Sequence, residues 1–219
     1  MNQSKLGISY ILWIFTAWSF VALTKFCLYS HLILLDETTS IIAKEFVRLL
    51  VFLGPVLFFI LCNLNEPWYR WLGLYGCNKG SLYKTIIVSA VYAMVSVCVN
   101  IYLFHKTAHF LSIPASFWFT TFSSSIIVEE IAFRGFLFYL FRKWNKNKIV
   151  IVTSLAFVLK HVPGWIFFPT EISVSGFVGD SIMVFAVGYI LGYLYLKTHS
   201  IWATSLVHAI NNFIVALFN

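Results

Sequence analysis

Glu129, Glu130 and Arg134 fall within six consecutive positions of a stretch, Phe117 to Phe141, that is otherwise apolar enough to cross a bilayer. On insertion scales each charged side chain near the centre of a spanning helix costs roughly 2.5 to 3.5 kcal/mol, so the three together oppose insertion by very roughly 8 to 10 kcal/mol before any pairing. A membrane sequence that keeps such a cluster has a use for it. Two further polar groups stand in equally apolar surroundings: Lys160 and His161, the histidine four residues after Phe157, and His208, Asn211 and Asn212 near the C-terminus. Carboxylates, imidazoles and a carboxamide are the groups from which a hydrolytic site is built. A carboxylate takes a proton from water, imidazole holds the water or the substrate carbonyl, and an amide or imidazole N–H supports an oxyanion.

Such a site requires that separate helices carry these groups to one depth. Counting about 1.5 Å per residue from the nearest basic residue at the helix end, Glu130 lies 12 residues before Arg142, His161 lies 13 after Lys148 and His208 lies 11 after Lys197. All three thus sit about 16 to 20 Å along their helices. Helical spacing then assigns faces. Glu130 and Arg134 are i, i+4 and form a supporting ion pair, and His208 and Asn212 share a face. Glu129 points about 100° away from Glu130 and has no partner on its own helix, so it is the working carboxylate, near enough to neutral pH to accept a proton from water. On this reading Glu129 is replaceable without much loss of stability, whereas Arg134 is not.

The remainder of the chain is built to hold such helices in a membrane. Of its 219 residues, 60% are apolar, 19% are aromatic and only 11% are charged, which indicates an all-α, polytopic membrane bundle forming one domain over residues 1–219. Seven spans are expected, near Leu6 to Leu28, Phe46 to Leu64, Leu82 to Phe104, Phe117 to Phe141, Ile149 to Phe167, Gly176 to Leu196 and Ile201 to Phe218. The polar groups fall on the fourth, fifth and seventh. The first run is too long for a signal-peptide core and reads as a retained span. Asn65 to Ser81, rich in Trp, Gly and basic residues, reads as an interfacial connector.

Seven spans put Lys5, Arg70, Lys79, Lys84, Arg142, Lys143, Lys146, Lys148 and Lys197 on one side and Lys25, Lys44, Arg48 and Lys106 on the other. Nine against four places the N-terminus in the cytoplasm, with the cell (inner) membrane as the expected location. The net charge of +7 is spread between apolar runs and forms no nucleic-acid patch. Cys27, Cys62, Cys77 and Cys98 form no close pair and indicate neither a metal cluster nor a disulfide framework. His31, His105, His109 and His199 lie near loop ends and are expected at solvent or interface, and Asn211, which points away from His208, is expected to be structural.

Taken in order, Glu129-Glu130-x-x-x-Arg134, Phe157-x-x-x-His161 and His208-x-x-x-Asn212 resemble the motifs of the CAAX-protease and bacteriocin-processing (Abi) family of intramembrane endopeptidases. The resemblance covers residues 117–219. It implies that Glu129 activates the water, that Glu130 and Arg134 support it, and that His161, His208 and Asn212 act as substrate and oxyanion ligands. Phe133 and Gly135 fit the flanks of the first motif. Phe185, Gly188 and Gly192 form a small-residue face of the kind the family packs against its last helix. The resemblance implies a membrane-associated protein or peptide as substrate: a prenylated tail, a bacteriocin leader or a sorting tail. It leaves open a divalent metal, held if present by Glu129, His161 and His208, against a metal-free glutamate mechanism. Lys160 has no place in the family pattern.

Other intramembrane chemistries fit less well. There is no His-Glu-x-x-His, Gly176 to Asp180 is mis-spaced for an aspartyl protease and lacks a second intramembrane Asp, and Ser123 to Ser125 lacks a serine-rhomboid context. The alternatives of another class are a bacteriocin-immunity or scaffold protein with the same fold and a proton-coupled transporter, although broken helices and inverted repeats are not evident.

Overall fold

The computed structural model describes residues 3–30, 37–63, 67–76, 78–109, 113, 117–118, 126–168 and 173–218. Among these residues the regular structure is helical: α1 (Gln3–Ser30), α2 (Glu37–Cys62), the short α3 (Trp68–Trp71), α4 (Lys79–Cys98, continued by a π-helical turn Val99–Leu103), α5 (Ile126–Glu130, Ile131–Phe136 and Leu137–Leu140 in succession), α6 (Lys146–Phe167), α7 (Val174–Thr198) and α8 (Ile201–Phe218). Six helices are long and apolar enough to span a membrane, namely α1, α2, α4, α6, α7 and α8. They carry an extensive exposed apolar surface, including Phe20, Phe58, Tyr83, Met94 and Ile182. Such a surface is suited to lipid rather than to water. The chain is an integral membrane protein.

The expected fourth span is seen as a helix from Ile126 to Leu140, and its residues 119–125 lie outside the described residues, as do Ser123 to Ser125, His31 and Cys77. α5 is the axis of the bundle. Val128, Ala132, Phe133, Phe136, Leu137 and Leu140 are buried together with Tyr10 and Ile14 of α1, Phe52 and Val56 of α2 and Phe157 of α6. Its middle, Ile131–Phe136, is π-helical. Wide turns of this kind occur mostly as single insertions, often at functional sites.

Neighbouring elements hold α5 in place. The phenol of Tyr10 donates to the carbonyl of Phe52 at 2.6 Å and ties α1 to α2 beside it. Gly135 meets the connector: a Cβ there would lie 2.9 Å from the Leu72 carbonyl oxygen, so only glycine permits the approach. The connector itself is docked more deeply than an interfacial segment. Leu72 is buried, Trp71 stacks on Tyr139 at 4.3 Å, and the Ile201 N–H donates to the carbonyl of Gly73 at 3.0 Å. The small-residue face of α7 is also redirected. Gly188 lies against Ser154 and Gly192 against Val150, so this face packs on α6 and not on the last helix, because the two glycines allow α6 and α7 to approach backbone to backbone. Cys27, Cys62 and Cys98 are exposed and form no disulfide with one another, and His105, His109 and His199 are exposed.

Candidate active site

Side chains from α5, α6 and α8 meet in the interior. On α5, Glu130 is fully buried and its Oε1 accepts from Arg134 Nη1 at 3.1 Å, so the pair expected from i, i+4 spacing is present despite the π-helical turn between its members. Arg134 is equally buried. Its Nη2 donates to the Gly188 carbonyl of α7 at 3.3 Å, and its guanidinium lies 4.6 Å from the centroid of the Phe157 ring. One cation thereby fastens α5 to both α6 and α7.

His208 of α8 reaches the same carboxylate, with Nδ1 2.8 Å from Glu130 Oε1. An ionised carboxylate only accepts, so Nδ1 carries the hydrogen. Its Nε2 faces Glu129, whose Oε2 is 4.0 Å away. His161 is fixed in the same way. Its Nδ1 donates to the Phe157 carbonyl at 2.8 Å, which leaves Nε2 as the acceptor, and its ring stacks on Trp165 at 5.8 Å. Both imidazoles border Phe157, with centroids 5.0 and 5.7 Å from its ring. Asn212 is half-buried one turn beyond His208, and its Oδ1 accepts from Asn211 at 3.0 Å.

Two expectations change. Glu129 does have a partner, on another helix: Lys160 Nζ lies 2.5 Å from its Oε2, both side chains being 8% exposed. The residue the family pattern could not place thus neutralises the carboxylate expected to be free. The signal was present in the sequence, since an ionisable side chain inside a membrane needs a partner and Lys160 lacked one on its own helix. His208, expected as a substrate or oxyanion ligand, also hydrogen-bonds Glu130 through Nδ1. Arg48 of α2 was counted with the loop charges. It is buried, hydrogen-bonds both oxygens of Glu45 through Nη1 at 2.7 and 2.8 Å, and acts through space on Glu129. Among the described residues the buried carboxylates Glu45, Glu129 and Glu130 are matched by Arg48, Arg134 and Lys160.

The donor set does not fit a divalent metal. Among the described residues no three His, Cys, Asp or Glu side chains converge as ligands, and an ammonium already occupies the Glu129 oxygen nearest His208.

Among curated proteins and among solved structures nothing matches the chain. Residues 111–214 match the family described as Type II CAAX prenyl endopeptidase Rce1-like. That stretch, nearly half of the chain and the source of every side chain in the α5–α6–α8 cluster, is thus similar to a family of CAAX-type intramembrane proteases.

Proposed function

We propose that the protein is an intramembrane endopeptidase in which Glu129 activates water for attack on a peptide bond of a membrane-associated substrate. The observation that carries this reading is the meeting of Glu129, Lys160 and His208 from three helices in an interior otherwise lined by aromatic side chains. Lys160 holds Oε2, so Oε1 is the oxygen that takes the proton. The fixed rings divide the remaining work. With its lone pair on Nε2, His161 can accept a hydrogen bond from the attacking water, and His208 Nε2 faces the carboxylate that takes the proton, whereas the oxyanion that forms on the carbonyl needs donors. Asn212 Nδ2 and the Lys160 ammonium are the donors available. Addition of water to the carbonyl passes one proton to Glu129, and collapse of the tetrahedral intermediate returns that proton to the departing amine, so the site ends as it began.

The side of entry follows from charge. With Arg48 buried and paired to Glu45, it no longer counts as a loop charge, and the basic residues divide nine against three. This supports a cytoplasmic N-terminus and access to Glu129 from the inner leaflet. The Lys160–Glu129 pair is also the observation that favours the alternative of an immunity or scaffold protein, since a neutralised carboxylate can serve packing alone. Comparing membrane peptides from cells that carry the wild type or Glu129→Gln decides between them. Accumulation of uncleaved substrates in the variant is expected, and identical peptide populations would remove the protease reading.

A further inference from the structure

We infer that Tyr92 and Asn211 are positioning residues that aim the carboxamide of Asn212 as a hydrogen-bond donor. This rests on the proposed role of Asn212 and adds to it a residue from α4, outside the family-matched stretch. Tyr92 and Asn211 are 119 positions apart, yet the phenol donates to Asn211 Oδ1 at 2.6 Å. The other end of the same amide, Nδ2, donates to Asn212 Oδ1 at 3.0 Å. The order of the chain follows from chemistry. A phenol that donates requires the oxygen of Asn211, which turns its NH2 group outward to Asn212 and requires an oxygen there. Asn212 Nδ2 is then the end left over, a pure donor to which no described residue offers an acceptor.

A carboxamide can present either end to a ligand, and its acceptor end would repel an oxyanion. Rotation by a half-turn about the last side-chain bond exchanges the two. In the Tyr92–Asn211–Asn212 chain that rotation breaks a hydrogen bond in a half-buried setting, so Asn212 stays in the orientation an oxyanion requires. α4 packs along α8, which keeps the phenol in register, and Asn212 shares the face of α8 that carries His208. Asn211, whose direction away from His208 gave it no catalytic assignment, therefore acts through its neighbour.

The test uses the full chain in detergent with a fluorescence-quenched farnesylated peptide ending in a three-residue tail. Tyr92→Phe and Asn211→Ala should each lower kcat about five-fold with KM unchanged, the loss expected for one hydrogen bond. In an Asn212→Ala background, Tyr92→Phe should have no further effect on the residual rate. An equal loss in both backgrounds would mean a general packing role and would overturn the inference, as would a fully active Tyr92→Phe. If Asn212→Ala cuts the peptide at the wild-type rate, Asn212 is no oxyanion donor and the inference falls while the protease reading stands; if the wild type leaves this peptide uncut, the failure lies with the proposed function for a prenylated substrate. The orientation is read separately from the side-chain amide resonances of 15N-asparagine-labelled protein. Tyr92→Phe should shift or broaden those of both Asn211 and Asn212, and unmoved Asn212 signals would refute the relay whatever the substrate.

Discussion

Replacing Glu129 by Gln removes the base and also strands a lysine. Lys160 and Glu129 are each 8% exposed at the side chain and 2.5 Å apart, so the pair is largely but not wholly dry. Removing one partner of a fully buried pair costs about 3 to 5 kcal/mol, mostly because the remaining charge is left uncompensated. Here the glutamine oxygen still accepts from the ammonium and some water reaches the rim, which brings the expected loss to about 2 kcal/mol. For a chain of this length that corresponds to a fall in melting temperature of about 4 to 8 °C. Adding Lys160→Met removes the stranded charge and should bring stability back to within about 1 kcal/mol of wild type, since a neutral, packed pair often equals a buried ionic one. Activity should not return, because both variants lack the Glu129 carboxylate that takes the proton from water. The assay is thermal unfolding in one detergent at one protein concentration, run beside peptide cleavage. If Glu129→Gln melted with the wild type, or if the double variant melted as low as the single one, the ion pair would not be the energetic link described.

Arg134→Ala should cost about 3 kcal/mol, or about 6 to 12 °C, because Glu130 loses its fixed cation while the Gly188 and Phe157 contacts are lost; equal melting temperatures would contradict this. His161→Ala and His208→Ala should each lose several orders of magnitude in cleavage, and retention of activity by both would support the scaffold alternative. Gly135→Ala brings a methyl group to 2.9 Å from the Leu72 carbonyl and should destabilise by about 1 to 3 kcal/mol, as read from detergent melting, unless the connector shifts. With the four native cysteines removed, a cysteine at Ser173 should react with a membrane-impermeant thiol reagent in intact cells and one at Asn145 should not. The reverse pattern would overturn the orientation.

What could be read from the sequence was local. Glu130 and Arg134 are four residues apart, and that spacing alone brings them to 3.1 Å. Depth was also legible, because distance along a helix is a count, and the α5, α6 and α8 groups do meet. Direction between helices was not. Lys160 and Glu129 are 31 positions apart, His208 and Glu130 78, and Tyr92 and Asn211 119, and no periodicity says which way one helix turns towards another. Hydropathy was equally silent on lipid against core. α4 is almost wholly exposed to its surroundings and α5 almost wholly enclosed, yet both read as apolar runs, since lipid tails are as apolar as leucine.

The wide turn at Ile131–Phe136 divides α5 into two cylinders offset by a single residue. Glu129 and Glu130 belong to the first, and Leu137, Phe138, Tyr139 and Leu140 belong to the second. Loss of one amino acid from either regular half would swing the two halves by about 100° with respect to each other, and either the glutamates would leave Lys160 and His208 or Tyr139 would leave Trp71. Loss of one from the wide turn would be absorbed by a return to the regular α-helical ladder, with the flanking side chains on the faces they hold now. Chain length is therefore constrained in the two halves of α5 and slack between them, where one position can go without disconnecting the charges from the floor they stand on.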